Sequence, residues 1–137
     1  MVHSQATNVD APADPMLIGD FAQAVGSTKD TVRFYTRLGL LQAGARSAGQ
    51  RRYATYAEDQ TERFAFIEQC KALGFTLQEI GDALRERDEG TLTALRQQAL
   101  LEEKLRSIEE RIATLRGAEA RLRAKLEGKR PETSKRA

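Results

Sequence analysis

Cysteine and histidine occur once each in this 137-residue chain, as Cys70 and His3; tryptophan is absent and proline appears three times. A lone thiol cannot build a disulfide framework, and a single imidazole far away in sequence cannot complete a Cys/His metal cage within one chain. Only carboxylates remain as intrachain ligands, so no metal site and no cofactor are expected. The same scarcity removes Ser/His and Cys/His nucleophile pairs, and no glycine-rich loop is spaced to cradle a phosphate, so the residues give no support for an enzyme. Long apolar runs are missing too. No window approaches the roughly 18–20 apolar residues that cross a bilayer, and the opening MVHSQATNVDAPADP has neither the basic flank nor the apolar core of a secretory signal. The expected compartment is the cytoplasm.

What is present is charge, unevenly placed. Net charge is +2, but residues 1–90 carry 10 Lys/Arg against 13 Asp/Glu, while residues 91–137 carry 12 against 7. Within 29–56, Lys29, Arg33, Arg37, Arg46, Arg51 and Arg52 face one acid, Asp30. Such a local excess suits a polyanion; the plainer reading is a solvated surface rich in arginine.

Length and apolar content fit one soluble domain of residues 16–90 with an appendage. Residues 1–15 are small and polar and read as a disordered tail. From Ile18 the apolar residues Phe21, Ala22 and Val25 run at helical spacing to a stop at Gly26. Thr28 is a candidate N-cap for a second helix, where Val32, Phe34, Tyr35 and Leu38 lead to Gly39. Two short helices so close together form a helix-turn-helix candidate. Residues 40–56 show no helical period and hold Gly44 and Gly49, which predicts a β-hairpin. A third helix follows from Glu58 with Phe64, Ile67, Cys70 and Leu73 on one face, and Thr76 caps a fourth bearing Leu77, Ile80 and Leu84. Asp88-Glu89-Gly90 breaks the pattern.

From Thr91 to about Glu127 the spacing predicts one helix of roughly 36 residues, about 54 Å long at 1.5 Å per residue. Its apolar residues Leu101, Leu105, Ile108, Ile112, Leu115, Leu122 and Leu126 step by fours and threes, weakened where Glu119 takes an apolar slot, which is a coiled-coil seam. So long a stripe cannot be buried on the small preceding domain, so a second chain is expected to cover it. Residues 128–137 read as a basic flexible end.

This order of elements resembles the MerR family of bacterial transcription regulators. IGDFAQAVGSTKDTVRFYTRLGLL is similar to the family's first two helices, through Thr31, Val32, Arg33, Phe34 and Tyr35 and the Gly39-Leu40-Leu41 exit. ARSAGQRRY resembles its wing, with Arg46, Gly49, Arg51 and Tyr53 matching, and FIEQCKALGFTLQEIGDAL its third and fourth helices. The implied fold class is mainly α: a winged helix-turn-helix DNA-binding domain followed by a long coiled-coil dimerisation helix. Thr36 stands where the family carries an acidic residue, and Gln50 where it carries an aromatic; both departures bear on a helix–wing contact.

Position by position, the resemblance implies that Thr28, Lys29 and Asp30 open the recognition helix toward base edges, with Arg33 and Tyr35 anchoring the DNA backbone and Arg46, Arg51 and Tyr53 gripping it from the wing. Phe34 is expected in the core. Metal-sensing relatives use cysteines at both ends of the dimerisation helix, and DEGTLTAL and RAKLEGKRP hold none. Cys70 is expected to be a small buried thiol, the alternative being a redox switch activated by Lys71 or Arg63.

The resulting expectation is a cytoplasmic, homodimeric regulator that binds double-stranded DNA, distorts an overlong promoter spacer and so brings both promoter elements into phase for RNA polymerase. No effector is named by the residues. A coiled-coil protein-interaction module with a helix-turn-helix core that does not bind DNA remains the alternative, and membrane-surface attachment is disfavoured by the lack of aromatic anchors on the seam.

Overall fold

The computed structural model describes residues 14–129. Most of the expected tails, 1–13 and 130–137, lies outside the described residues. The chain forms two compact units, divided between Gly90 and Thr91.

In the first unit the order is β1 (Met16–Leu17), α1 (Ile18–Ala24), α2 (Lys29–Arg37), β2 (Gly44–Ala48), β3 (Arg51–Tyr56), α3 (Asp59–Ala72) and α4 (Leu77–Glu89). Helices of seven and nine residues, α1 and α2, are too short to stand alone in water, so they exist because they bury one face together. Phe21 and Ala22 of α1, Val32 and Tyr35 of α2, Leu40 and Leu41, Tyr56 of β3, Phe64 and Ile67 of α3, and Ile80 and Leu84 of α4 make one apolar core. Its centre is aromatic. Phe21 stacks on Tyr56 with ring centroids 4.7 Å apart and meets Phe64 edge-on at 6.3 Å, and Tyr35 lies 5.6 Å from Phe64.

The sheet has one strand more than the hairpin the sequence predicts. Its order is β1-β3-β2, antiparallel throughout, with Met16 opposite Tyr56 and Leu17 opposite Thr55. A two-residue strand is too short to display an alternating pattern, which is why only β2 and β3 are visible in the sequence. Other expectations differ too, among them the start of the long helix, which lies at Ala94 and not at Thr91. Helix α4 runs through Asp88 and Glu89, and Gly90 at φ 78° ends it in the left-handed conformation that favours glycine. Leu73, placed on the buried face of the third helix, is 52% exposed at the C-cap of α3. Gly128 and Lys129, assigned to the flexible end, belong to the long helix.

Asp88 stays helical for a reason outside its own neighbourhood. The Arg63 guanidinium donates to both carboxylate oxygens of Asp88, at 2.7 and 3.1 Å, while its Nε donates to the Leu40 carbonyl at 2.6 Å. Only 11% of the Arg63 side chain is exposed. One arginine thus pins the exit of α2 and the last turn of α4 to α3. Thr76 and Glu79 start α4 with a reciprocal capping box.

The second unit is α5 (Ala94–Lys129), 36 residues with none buried. Thr93 caps it, its Oγ1 accepting from the Arg96 amide at 3.1 Å. Leu101, Leu105, Ile112, Leu115, Leu122 and Leu126 are exposed, and Ile108 is half-buried.

Arg63→Ala leaves the Leu40 carbonyl and Asp88 without their charged donor and should cost about 2 kcal/mol in a denaturant titration. The Arg63 hydrogen bonds hold the Asp88 carboxyl below its ordinary value. That contribution is present above pH about 4 and is lost as pH falls through the depressed folded value. Wild type should therefore lose more stability between pH 5 and 3 than Asp88→Asn, with a difference below about 1 kcal/mol because Asp88 is partly exposed; equal acid sensitivity would contradict the assignment.

Candidate nucleic-acid interface

Helix α2 begins at Thr28, whose Oγ1 accepts from the Thr31 amide at 3.2 Å, and Asp30 in the first turn complements the helix dipole. Val32 and Tyr35 point inward, leaving Lys29, Asp30, Arg33 and Arg37 exposed. A groove-facing helix start needs this combination: small or polar residues ahead of flanking cations. Arg33 donates to Asp30 at 3.2 Å. Both side chains are more than half exposed, so the pair contributes at most about 1 kcal/mol and a phosphate can take the guanidinium over. Arg37, one helical turn beyond Arg33, sits 5.7 Å over the Phe34 ring. Arg37 belongs to the basic excess of residues 29–56, and its spacing of four from Arg33 puts both cations on one exposed side of the helix.

The wing is a tight hairpin. Ala48 pairs with Arg51 across Gly49-Gln50, and Gly49 at φ 65° supplies the positive first central residue of a type II′ turn, with no positive φ at Gln50. Arg46 lies opposite Tyr53 and Ala48 opposite Arg51. Because side chains alternate along a strand, Arg46, Arg51 and Tyr53 share one face, opposite to Arg52 and the buried Tyr56. The structure therefore brings together the three wing residues that the resemblance selects.

Lys29 does not project freely from the helix start. Its stem crosses Gly19, where a β-carbon would lie 3.2 Å from Lys29 Cε. There it lines an open cleft of about 300 Å³ with Leu17, Ile18, Gly19, Asp20, Tyr53 and Ala54. This is where the start of the recognition helix meets the wing.

Two aromatic expectations exchange places. Tyr35, implied as a backbone anchor, is 1% exposed; its hydroxyl donates to Glu68 at 2.7 Å and accepts from Lys71 at 2.7 Å. No part of it is left for phosphate. Burial raises the phenol's pKa, Lys71 partly opposing and Glu68 reinforcing the rise, and the hydrogen bond to Tyr35 raises that of Lys71. Phe34, expected in the core, is 40% exposed beside Arg37. Adjacent residues on a helix lie about 100° apart, and the core takes the one whose hydroxyl finds partners on α3. Cys70 is half-buried, and burial raises its thiol pKa. Arg63, one candidate to activate it, is committed to Leu40 and Asp88.

A winged helix-turn-helix with exposed cations on its second helix and on its wing defines a DNA-binding protein. Residues 16–87 match the model of the MerR HTH family regulatory proteins, and residues 61–125 match that of MerR, DNA binding. The chain is 38% identical over 100 residues to the mercuric resistance operon regulatory protein of Shigella flexneri, covering 73% of this chain and 67% of that one. It is 31% identical over 106 residues to the HTH-type transcriptional regulator ZntR of Escherichia coli (strain K12), covering 77% and 74%. The crystal structure of the transcription regulator PbrR691 from Ralstonia metallidurans CH34 in complex with lead(II) superposes with a TM-score of 0.69 at 33% identity, over 80% of this chain and 83% of that one. The chain belongs to the MerR family and is a DNA-binding transcription regulator, a class without enzymatic activity.

If the Tyr35 hydroxyl serves the core alone, Tyr35→Phe should lower stability by about 1 kcal/mol and leave both DNA affinity and its salt dependence unchanged. A shallower salt slope in fluorescence-anisotropy titrations would return Tyr35 to the DNA surface.

Proposed function

We propose that this regulator works in the cytoplasm as a homodimer at a promoter, each subunit laying α2 in the major groove and its wing on the flanking backbone. The observation that carries this reading is the shared wing face of Arg46, Arg51 and Tyr53 beside a recognition helix with Arg33 outward. Thr28 and Asp30 meet base edges, Lys29 and Tyr53 line the cleft between helix and wing, and Arg33, Arg46 and Arg51 hold phosphates. The seam of Leu101, Leu105, Ile108, Ile112, Leu115 and Leu122 pairs with its copy. Distortion of an overlong promoter spacer, presented to RNA polymerase, is the mode of action this architecture suits. Among the described residues no helix is long and apolar enough to cross a membrane.

Relatives are named for mercuric resistance, and PbrR691 was solved with lead(II). The donor set of this chain does not fit such a thiophilic ion. Cys70 is its one thiol, its pKa is raised by burial, and among the described residues no three His, Cys, Asp or Glu side chains cluster as a metal site. We infer a signal other than a thiolate-bound metal.

Arg33→Ala and Arg51→Ala should each weaken binding about equally on operator and random DNA and shallow the slope of log K against log salt by roughly one unit. Unchanged affinity and slope for Arg33→Ala would place the recognition helix elsewhere. For the dimer, Ile108→Asp with Ile112→Asp puts charges into a desolvated seam and should yield monomers in sedimentation velocity, with operator affinity lost. A double variant that still sediments as a dimer would sink the assignment.

A further inference from the structure

We propose that Thr36 is a positioning residue that sets the angle between the recognition helix and the wing, through a hydroxyl relay from Tyr56. The Thr36 hydroxyl lies 2.7 Å from the Val32 carbonyl and 2.9 Å from the Tyr56 hydroxyl. A threonine has one hydroxyl proton, and the Val32 carbonyl can only accept. The proton therefore goes to Val32, and Tyr56 donates to Thr36 Oγ1. The relay has one direction: Tyr56 to Thr36 to the backbone of α2.

Its location gives it leverage. Tyr56 is 1% exposed, its ring held against Phe21 at 4.7 Å, and it ends β3, the central strand of the sheet. Fixing Tyr56 therefore fixes the strand that carries Arg51 and Tyr53 and, by pairing, Arg46. Thr36 lies in the same helix as Asp30 and Arg33. The relay joins the two DNA-facing elements at their common root, on the buried side opposite the DNA surface. It is also neutral. An acidic side chain at position 36 has acceptors only and could not donate to Val32, and an ion pair to the wing would weaken with salt. The hydroxyl link holds the wing angle independently of ionic strength, which matters for a surface that meets a polyanion.

This inference rests on the DNA-binding reading of α2 and the wing, and its test has a readout that needs no DNA. Backbone residual dipolar couplings for residues 29–37 and 44–56 would be measured in the free wild-type protein and in Thr36→Val, Thr36→Ser and Tyr56→Phe. Wild type and Thr36→Ser should fit one alignment tensor across both segments. Thr36→Val and Tyr56→Phe should require two, while the strand couplings within the wing stay intact. Tyr56→Phe keeps the ring on Phe21, so it guards against simple unfolding of Thr36→Val. On operator DNA the same two variants should shallow the salt slope by about two units, the share of Arg46 and Arg51, and Thr36→Ser should restore it. Variants whose couplings still fit one tensor overturn the positioning role whatever their slopes. A wild type with one tensor and no affinity for duplex DNA overturns the DNA reading instead, and the couplings still decide the link.

Discussion

The packing of four aromatic rings is the constraint on which the DNA-binding unit depends. Phe21, Tyr35, Tyr56 and Phe64 come from α1, α2, β3 and α3, so a single cluster orders four elements that are each too short or too exposed to persist alone. A buried aromatic side chain removes about 150–250 Å² from water and contributes about 1.5–3 kcal/mol, whereas a helix this short is not stable on its own hydrogen bonds. The cluster therefore decides where the recognition helix and the wing stand. Leu40 and Leu41 close it from the segment after α2, and Ile67, Ile80 and Leu84 extend it into α3 and α4. Nothing in this arrangement is specific to DNA. What makes it a reader of DNA is the surface the cluster leaves outward.

That surface separates cations by task. Arg63 is withdrawn into the unit and spent on Leu40 and Asp88, and Lys71 is spent on Tyr35 and Glu68. Arg33, Arg37, Arg46 and Arg51 remain exposed. Arg33 keeps a weak local partner in Asp30, which orients it without sequestering it. The buried polar groups follow a parallel economy. Gln60, 5% exposed, accepts from the Gln42 amide at 2.8 Å, and among the described residues no buried side-chain nitrogen or oxygen lacks a partner.

Most of the fold was legible because its punctuation is local. Thr28 and Thr76 mark helix starts, Gly49 marks the wing turn, and the four-and-three spacing from Leu101 to Leu126, weakened only at Glu119, marks the long helix. What escaped was set by distant partners. Asp88 looks like a helix breaker until Arg63, 25 residues earlier, is seen to hold it. Strand β1 exists because Met16 and Leu17 can pair with the end of β3, a fact that no pattern of two residues encodes. Phe34 and Tyr35 are adjacent aromatic residues, and the Tyr35 hydroxyl finds its partners in Glu68 and Lys71 on another helix. Thr36 reaches the wing through Tyr56, 20 residues further along the chain. The candidate site was legible by type more than by pose: Arg33, Arg46, Arg51 and Tyr53 are outward, whereas Lys29 lies across Gly19 and Tyr35 is withdrawn.

We propose that one aromatic core presents a recognition helix and a wing as a single DNA-reading block, used in duplicate by a dimer joined through α5. Hydroxyl-radical footprinting of the purified full chain on a promoter duplex decides it. Such a dimer should give two protected patches on one face of the DNA, separated by an integral number of helical turns of about 10 base pairs each, each flanked by backbone protection from a wing. A single unrepeated patch, or protection without flanks, would contradict it.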